Sequence, residues 1–417
     1  MGNSSSPDSP RPHGDVRMRG FASRVALDHA IRWLDQMVRV LPAEPVPLAQ
    51  LAGRVLAEDV ASAVDVPGFP RAMMDGFAVR AADTLGAAPY NRLPLCVMGE
   101  VFAGHTFDGV VAAGQAVRIM TGAPMPAGAD AVIPVENVEI AGNTVYALGE
   151  VSPGKHVGRI GEDIARGTVV LAKGRRLRPQ DLGVLSSIGA SEAPVIRRPR
   201  VRIVVTGNEL LPPGTRPSGA RIADANGPML EALVERDGGV VINPGIIPDD
   251  PDAILGAIQD EADVVLVSGG SSVGAEDHAP RLVAEHGELP IHGVAMRPSS
   301  PTGMGRVGDR LVFLLPGNPV SCLCAYDFFA GRAIRAMAGR SRVWPYRKCR
   351  ARLRRKLVSV VGRVDYARVK LIDGEVEPLA ISGASVLSST TRADGFVVVP
   401  ADSEGHAPDT EVTVWIY

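Results

Sequence analysis

Hydrophobic positions near the start of the chain follow a different spacing from those further along. Between residues 26 and 39 apolar side chains recur at helical spacing, which predicts an amphipathic helix. Similar patterns predict helices at residues 48–58 and 179–188. From residue 93 to 151 short apolar runs alternate with Gly/Pro turns, and this pattern predicts a small β-rich domain inserted between the helical pieces.

The second half of the chain has another order of elements. From residue 200 to 337 apolar runs of strand length alternate with helical stretches, which predicts a doubly wound parallel α/β domain. From residue 352 to 417 alternating strands occur without a convincing helix, and they fit a small β-barrel or sandwich. The predicted fold class is therefore multidomain, α/β plus β.

These patterns divide the chain into five segments. In chain order we expect a flexible Ser/Pro-rich leader (1–21), a helical and extended domain (22–64 and 160–195), an inserted β-rich domain (65–159), an α/β domain (196–342) and a C-terminal β-barrel domain (343–417).

Composition excludes several functions for the 417 residues. Lys and Arg number 44 against 46 Asp and Glu, so the net charge of −2 argues against a protein that coats nucleic acid or an anionic membrane. Aromatic residues make up 4%, too few for platforms that stack single-stranded bases. The apolar runs are too short to span a membrane, and no signal peptide opens the chain, so we expect a cytoplasmic protein with reduced cysteines.

Three polar, glycine-containing segments follow predicted strands of the α/β domain. Ligands of such sheets bind beyond the carboxyl ends of the strands, and glycines let the backbone approach them closely. Together the segments predict a phosphorylated or nucleotide-like ligand, although ordinary βα turns remain the alternative. They are Thr206-Gly207-Asn208-Glu209, Ser268-Gly269-Gly270 and Pro316-Gly317-Asn318-Pro319.

Acidic residues accompany these loops. Glu209, Asp249, Asp250 and Asp277 fall near the same predicted edge of the sheet. Carboxylates beside a phosphate site most often hold Mg²⁺, which bridges phosphate oxygens. For Asp249 and Asp250 capping of the following helix is an equally good interpretation.

Several motifs, taken together and in order, resemble those of the molybdopterin molybdenumtransferases, which comprise the bacterial MoeA proteins and the gephyrin E domain. The resemblance extends from about residue 22 to residue 417. It is carried by residues 65–79 and 118–136, Gly161-Glu162-Asp163-Ile164, Thr206-Gly207-Asn208-Glu209-Leu210, Ser268-Gly269-Gly270, residues 274–277 and Leu315-Pro316-Gly317-Asn318-Pro319-Val320-Ser321.

The resemblance implies an activity and a set of partners. Adenylylated molybdopterin would bind to an α/β domain of the molybdopterin-binding type, molybdate would meet its dithiolene sulfurs, and Mg²⁺-assisted hydrolysis would release AMP and the finished cofactor. It also implies a homodimer, in which one subunit's α/β edge faces the inserted domain of the other. Molybdoenzymes or other proteins of cofactor biosynthesis are possible further partners, whereas nucleic acid and membranes are not expected.

Motif matches also carry residue roles to this chain. The resemblance implies catalytic roles for Asp75, Glu209, Asp249 and Asp277, the last three also as metal ligands. The implied substrate-binding residues are Thr121, Asp163, Thr206, Gly207, Asn208, Ser268, Gly269, Gly270, Arg297, Ser300, Pro301, Pro316, Gly317, Asn318, Pro319, Ser321, Arg368 and Ser388.

One motif departs from the family pattern. A segment that usually reads Lys-Pro-Gly-x-Pro is here Arg297-Pro298-Ser299-Ser300-Pro301, so a lysine tied to molybdate binding is replaced by Arg297. The second basic position, often lysine, is Ser300. Arginine donates to an oxyanion through a planar fork rather than as a compact charge. A binding or delivery protein that does not insert molybdenum efficiently therefore stays the alternative function, with a pure scaffold as a third.

Overall fold

The structure is a computed structural model that describes residues 24–269, 278–380 and 383–417. The site candidates Gly270 and Asp277 therefore lie outside the described residues. The chain forms two compact units, one of residues 44–195 and one that combines the residues up to 43 with residues 196–417. In the described ranges no helix is both long and apolar enough to cross a bilayer.

The first helix of the described residues is amphipathic, α1 (Leu27–Met37), where the sequence predicts one. Leu27, Ala30 and Leu34 are buried on one face and belong to the main core of their unit. Asp35 lies outside that face and accepts two hydrogen bonds from the Arg332 guanidinium, at 2.8 and 2.7 Å. The helix is thus attached to its unit by apolar packing and an ion pair.

The unit of residues 44–195 consists mainly of short strands. They are β1 (Ala43–Pro47), β2 (Val60–Ala61), β3 (Arg71–Ala72), β4 (Gly76–Val79), β5 (Leu93–Val101), β6 (Gln115–Ile119), β7 (Ala131–Pro134), β8 (Val138–Ala141), β9 (Thr144–Ala147), β10 (Val157–Gly158), β11 (Val169–Leu171) and β12 (Glu192–Ile196), with the helix α2 (Pro179–Ser187) between the last two.

Six of these strands form the sheet β7-β4-β6-β5-β9-β8, whose core includes the fully buried Ile133 and Val145. Strands on either side of this segment pair with each other, β2 with β11 and β3 with β10. In sequence, the six-stranded sheet is therefore inserted between flanking strands that pair with each other. This confirms the predicted β-rich region.

One predicted helix of this unit is wrong and another is confirmed. Over residues 48–58 only the 3₁₀ turn Leu48–Gln50 forms. Gly53 then takes a φ of +75°, and Val55 and Leu56 make antiparallel bridges instead of helical contacts. The predicted helix at residues 179–188 is α2, whose first turn is capped by the Asp181 carboxylate through the Arg178 N–H, at 2.9 Å.

The α/β domain begins at β13 (Arg200–Thr206). It continues with β14 (Leu210–Leu211), β15 (Ile222–Ala223), α3 (Asn226–Asp237), β16 (Val240–Ile242), β17 (Ile246–Ile247), α4 (Pro251–Gln259), β18 (Val264–Ser268), α5 (Ala279–His286), β19 (Glu288–His292), β20 (Met296–Arg297), β21 (Gly303–Val307), β22 (Arg310–Leu315), α6 (Pro319–Ala325) and α7 (Gly331–Met337), with a π-helical turn, Tyr326–Ala330, joining the last two.

The central sheet of this domain is doubly wound, as predicted. Its order is β16-β13-β18-β22-β21-β19, and β13, β18 and β22 are parallel neighbours. Alternate residues of β18 face opposite sides: Leu266 packs in the cluster that contains α3, α6 and α7, whereas Val265 and Val267 pack with α4 and α5. Both faces are therefore covered by helices.

The C-terminal strands are β23 (Arg347–Leu353), β24 (Leu357–Val358), β25 (Val364–Ile372), β26 (Glu375–Ala380), β27 (Gly395–Val399), β28 (Gly405–His406) and β29 (Glu411–Ile416), with α8 (Ser388–Arg392) before β27.

These strands close into the predicted β-barrel. The order β25-β26-β23-β29-β27 returns to its start because β27 also pairs with β25. β20, a strand of the α/β segment, adds in parallel to β25 and places Arg297 opposite Asp365. The α/β domain and the barrel thus share a strand pairing beside the loop that follows β20.

Candidate functional site

Three parallel strands of the α/β domain end side by side. In the sheet register Ser268 lies opposite Val205 on one side and Leu315 on the other, so the loops after β13, β18 and β22 meet at one edge. The loops are closely packed: a Cβ on Gly269 would lie 2.1 Å from the Thr206 carbonyl oxygen. Gly269 also has a φ of +98°, a conformation that favours glycine.

A cavity of about 560 Å³ lies at this edge, and we call it the acidic cavity. Among the described residues three acidic side chains line it, those of Glu209, Asp224 and Asp249. Most of the strand-end candidates are brought together here, as the lining also includes Thr206, Gly207, Ser268, Gly269, Gly317, Asn318 and Pro319. Asn208, which is exposed, is not part of this lining.

Glycine at position 207 permits the approach of the Glu209 carboxylate. Gly207 has a φ of +154°, and a Cβ there would lie 2.7 Å from Glu209 Oε2. Across the cavity the Thr206 hydroxyl donates a hydrogen bond of 3.0 Å to Asp249 Oδ1. The two candidate carboxylates therefore have defined positions. Glu209 lies beside the backbone of Gly207, and Asp249 is held by Thr206, the last residue of β13.

The two adjacent aspartates before α4 differ in their contacts. Asp250 is the N-cap of α4 and accepts a hydrogen bond of 3.0 Å from the Ala253 N–H. Asp249 instead lines the acidic cavity. Capping therefore accounts for Asp250, whereas Asp249 contributes its carboxylate to the lining of the acidic cavity.

The oxygen donors of the acidic cavity suit a hard cation such as Mg²⁺. Two candidate ligands, Glu209 and Asp249, line the same cavity, and Mg²⁺ commonly takes one or two carboxylates together with phosphate oxygens and water. Within the described ranges no group of three His, Cys, Asp or Glu side chains is close enough to hold a metal by itself. The donors present thus fit an ion that shares its coordination with a phosphorylated ligand.

A second cavity, of about 700 Å³, borders the first and is called the arginine cavity. Arg24, Arg297 and Arg363 line it, and Asn318 belongs to both cavities. Its lining also contains four more of the predicted site residues, Ser300, Pro301, Pro316 and Ser321. The loop after β22 thus separates the acidic cavity from the arginine cavity.

Arg297 is held by a buried carboxylate. Its Nε donates a hydrogen bond of 3.1 Å to Asp365 Oδ1, and a terminal nitrogen of the same guanidinium donates to Asp365 Oδ2. Asp365 is fully buried and also accepts a hydrogen bond of 2.8 Å from the Ser359 hydroxyl. Arg363 Nε lies 3.4 Å from Asp365 Oδ1, so one carboxylate faces two arginines.

Charge in the arginine cavity is therefore positive. In the part of the chain that the structure describes, Arg24, Arg297 and Arg363 contribute three positive charges, which exceed the single negative charge of Asp365. Such an excess favours an oxyanion over a neutral or cationic ligand.

Two C-terminal candidates lie away from the described lining of both cavities. Arg368 is fully buried within β25, and Ser388 is exposed at the start of α8. Neither is among the described residues that line the acidic or the arginine cavity. Ser385, which precedes α8, does line the acidic cavity.

In the unit of residues 44–195 the structure brings Asp75 and Thr121 together. The Thr121 hydroxyl and the Thr121 N–H each donate a hydrogen bond of 2.7 Å to Asp75 Oδ1. These two hydrogen bonds lower the pKa of the exposed Asp75 carboxyl from its ordinary value, the hydroxyl contributing most. Asp163 is exposed on the same unit, and its backbone N–H donates to the Val66 carbonyl at 3.1 Å.

Some residues that line or support the cavities were not singled out by the sequence analysis. Asp224 and Asn226 line the acidic cavity at the start of α3, where an Asp-x-Asn sequence before a helical pattern could have indicated a capped helix start. Arg363 and Asp365 reach Arg297 only through the pairing of β20 with β25, and Arg24, which lines the same cavity, is distant from all three in sequence. No local sequence pattern contains that contact.

These features define a class of multidomain α/β protein, with a doubly wound domain that carries adjoining acidic and cationic cavities and a C-terminal barrel. Three family models match the chain: the MoeA N-terminal region (domain I and II) at residues 25–189, the probable molybdopterin binding domain at 202–336 and the MoeA C-terminal region (domain IV) at 350–417. The chain therefore belongs to the MoeA family of molybdopterin molybdenumtransferases, as the motif series indicated.

Individual relatives agree with this assignment. "Molybdopterin molybdenumtransferase 2" of Mycobacterium tuberculosis is 36% identical over 399 residues, which cover 92% of this chain and 97% of that protein. A "Molybdopterin molybdenumtransferase" of Staphylococcus aureus is 33% identical over 384 residues, or 90% and 89% of the two chains. The crystal structure of the molybdopterin biosynthesis MoeA protein from Pyrococcus horikosii superposes with a TM-score of 0.81 at 35% identity, covering 94% of this chain and 99% of that one.

Proposed function

We propose that the chain inserts molybdate into adenylylated molybdopterin and releases AMP together with the molybdenum cofactor. The observation that carries this proposal is the adjoining pair of cavities, which have opposite charge and share Asn318. A phosphorylated pterin and a metal oxyanion must come together to react. Two neighbouring cavities would hold the two reactants on either side of the loop after β22, close to each other.

The acidic cavity would bind the adenylylated pterin. Glycines 207, 269 and 317 allow the backbone to approach the diphosphate, and Glu209 and Asp249 would hold Mg²⁺ against its oxygens. When bound, the ion would neutralise the charge that develops on the phosphate as the anhydride breaks. A carboxylate beside the ion also orients a water molecule for attack on phosphorus and accepts its proton, a role that suits Glu209 because it is exposed within the cavity.

The arginine cavity would bind molybdate, which is a dianion at neutral pH. Asp365 holds the Arg297 guanidinium in a fixed orientation through two hydrogen bonds, so its remaining N–H groups are preorganised. Arg363 lines the same cavity and could replace the positive charge that Ser300 does not supply. The departure from the usual lysines thus still leaves a cationic cavity.

A homodimer and the participation of Asp75 and Thr121 belong to the proposal as well. Exposed apolar side chains surround Asp75 in sequence, among them Phe69 and Met73, which is 57% exposed. Large exposed apolar side chains are common at protein interfaces. A second subunit would cover them and bring the Asp75–Thr121 pair to the partner's acidic cavity.

A reconstitution assay tests the proposed activity. Purified protein is incubated with adenylylated molybdopterin, Mg²⁺ and molybdate, and both AMP and active cofactor are measured over time. We expect AMP and cofactor to appear together and in equal amounts. If AMP release does not exceed that of a protein-free control while the pterin still binds, the chain is a binding or delivery protein instead.

The remaining parts of the proposal concern the surroundings of the protein. Delivery of the product to molybdoenzymes would follow from the proposed reaction, because the cofactor is used by other proteins. All four cysteines lie in the described chain and are free thiols, which is consistent with a reducing cytoplasm. Size-exclusion chromatography with light scattering would test the homodimer.

A further inference from the structure

Asn226 is a buried side chain of the acidic cavity with one unused hydrogen-bonding atom. It lines the cavity at the start of α3 and is 8% exposed. Its Oδ1 is buried and has no hydrogen-bond partner among the described residues. A buried acceptor without a donor is unfavourable, so native proteins usually satisfy such atoms with a neighbour, a water or a ligand.

The orientation of the Asn226 amide is fixed by its other end. Nδ2 donates hydrogen bonds of 2.8 Å to the Gly317 carbonyl and 2.9 Å to the Ser268 hydroxyl. A carbonyl can only accept, so the nitrogen must point toward Gly317. The Oδ1 acceptor is consequently held on the opposite side of the amide, and rotation of the side chain would break both bonds.

Capping of α3 does not explain this residue. The cap is provided by Asp224, whose Oδ1 accepts hydrogen bonds from the Asn226 and Gly227 N–H groups at 2.9 and 3.0 Å. The helix start is therefore satisfied without the Asn226 side chain. The amide adds a link between the end of β18 and the loop after β22, and it leaves one acceptor without a donor among the described residues.

We propose that Asn226 is a specificity residue, whose Oδ1 accepts a hydrogen bond from the exocyclic amine of a ligand heterocycle. This rests on the proposed function, since adenylylated molybdopterin carries such an amine on both its pterin and its adenine. Both amines are N–H donors at the edge of a planar ring, so they offer the same chemistry. A heterocycle with a carbonyl oxygen in place of the amine would face Oδ1 with a second acceptor and bind more weakly.

Paired ligands test this selection and distinguish its source. Binding to the full chain is measured by calorimetry for a pterin and the matching lumazine, in which oxygen replaces the amine, and for AMP and IMP, which differ in the same way. We expect at least about tenfold tighter binding of the amino form in one of the two pairs. The pair that shows the preference identifies which ring Asn226 contacts.

Two substitutions separate recognition from structure. Asn226→Ala removes the acceptor and should abolish the preference in that pair. Asn226→Asp keeps an acceptor but loses the Nδ2 donor, so the preference for the amine should persist. Circular dichroism melting of both variants checks that they fold.

The possible outcomes separate this inference from the proposed function. Three results would overturn the role of Asn226. The wild type could show no preference for the amino form, Asn226→Ala could keep the preference, or both variants could lose it equally. If neither the pterin nor AMP binds the wild-type chain, the proposed function itself fails. Binding of a pterin or AMP without discrimination leaves that function standing and removes only the selection by Asn226.

Discussion

Arg297 and Asp365 form an ion pair whose carboxylate is buried, although 68 positions separate the two residues in the sequence. They face each other because β20 of the α/β segment pairs in parallel with β25 of the barrel. The carboxylate is fully buried and accepts hydrogen bonds from both the Arg297 guanidinium and the Ser359 hydroxyl. This pair fixes a cationic side chain at the wall of the arginine cavity.

Replacing the carboxylate should lower stability and raise the positive charge of the cavity. In Asp365→Asn the two arginines beside it lose their counter-charge, and we expect the free energy of unfolding to fall by about 2–3 kcal/mol. Urea unfolding measures this loss. Ser359→Ala is the matched control, because it removes one hydrogen bond to the same carboxylate and should cost about 1 kcal/mol. Equal stability of the two variants would contradict the importance of the charge.

Ser300→Lys should strengthen oxyanion binding. Ser300 lines the arginine cavity and its hydroxyl is buried without a partner among the described residues. A lysine there adds a third uncompensated positive charge, and we expect molybdate to bind about tenfold more tightly at low salt. The measurement is a molybdate titration by calorimetry at two salt concentrations. An affinity that does not change would show that this position is remote from the oxyanion.

The two carboxylates of the acidic cavity should affect turnover far more than folding. Glu209→Gln and Asp249→Asn keep the shape of the side chains and remove the charge, so we expect AMP release to fall by about a hundredfold or more. The melting temperature should change little, because Glu209 is exposed and Asn at position 249 still offers an oxygen to Thr206.

The residue next to Asp249 provides the control for this experiment. Asp250 caps α4 and does not belong to the described lining of the acidic cavity. Asp250→Asn keeps a good capping residue and should therefore preserve both stability and AMP release. If Asp249→Asn and Asp250→Asn behave alike, Asp249 has no special role in the reaction.

Acid should weaken the unit of residues 44–195 through Asp181. Arg175 donates two hydrogen bonds to this carboxylate, at 2.9 and 2.7 Å, and holds its pKa at about 2. Because the folded pKa lies below the unfolded value, the stabilisation is complete above about pH 4 and is lost as the pH falls toward 2. Asp181→Ala should lower stability at neutral pH by about 1–2 kcal/mol and flatten this acid dependence. Urea unfolding between pH 2 and 7 would reveal a persisting slope if another group is responsible.

Sequence patterns captured the parts of the fold that depend on local periodicity. β18 has the sequence Val-Val-Leu-Val-Ser, a nearly continuous apolar run between two helical segments, and that pattern by itself indicates a strand covered on both faces. The helix expected over residues 48–58 does not form, because Gly53 takes a positive φ and because Val55 and Leu56 bridge to residues 176 and 195, which are distant in sequence. Spacing alone does not include such partners.

Some features of the candidate site were also predictable from the sequence, and others were not. The strand-end loops of the acidic cavity could be located because every parallel strand of a doubly wound sheet ends at the same edge. The pairing of Arg297 with the Asp365 carboxylate could not be predicted, because the two residues meet only through the register of β20 and β25. The different roles of Asp249 and Asp250 also became clear only from the structure, because by sequence either residue could have capped α4.

Closure of the barrel through β25 makes this strand a shared structural support. It hydrogen-bonds to β26 and β27 within the barrel and also receives β20 from the preceding domain. Cutting the chain between α7 and β23 would accordingly leave two fragments, each lacking one wall of the compartment lined by Arg24, Arg297 and Arg363. The C-terminal seventy or so residues therefore form part of the wall of the arginine cavity rather than a separable module.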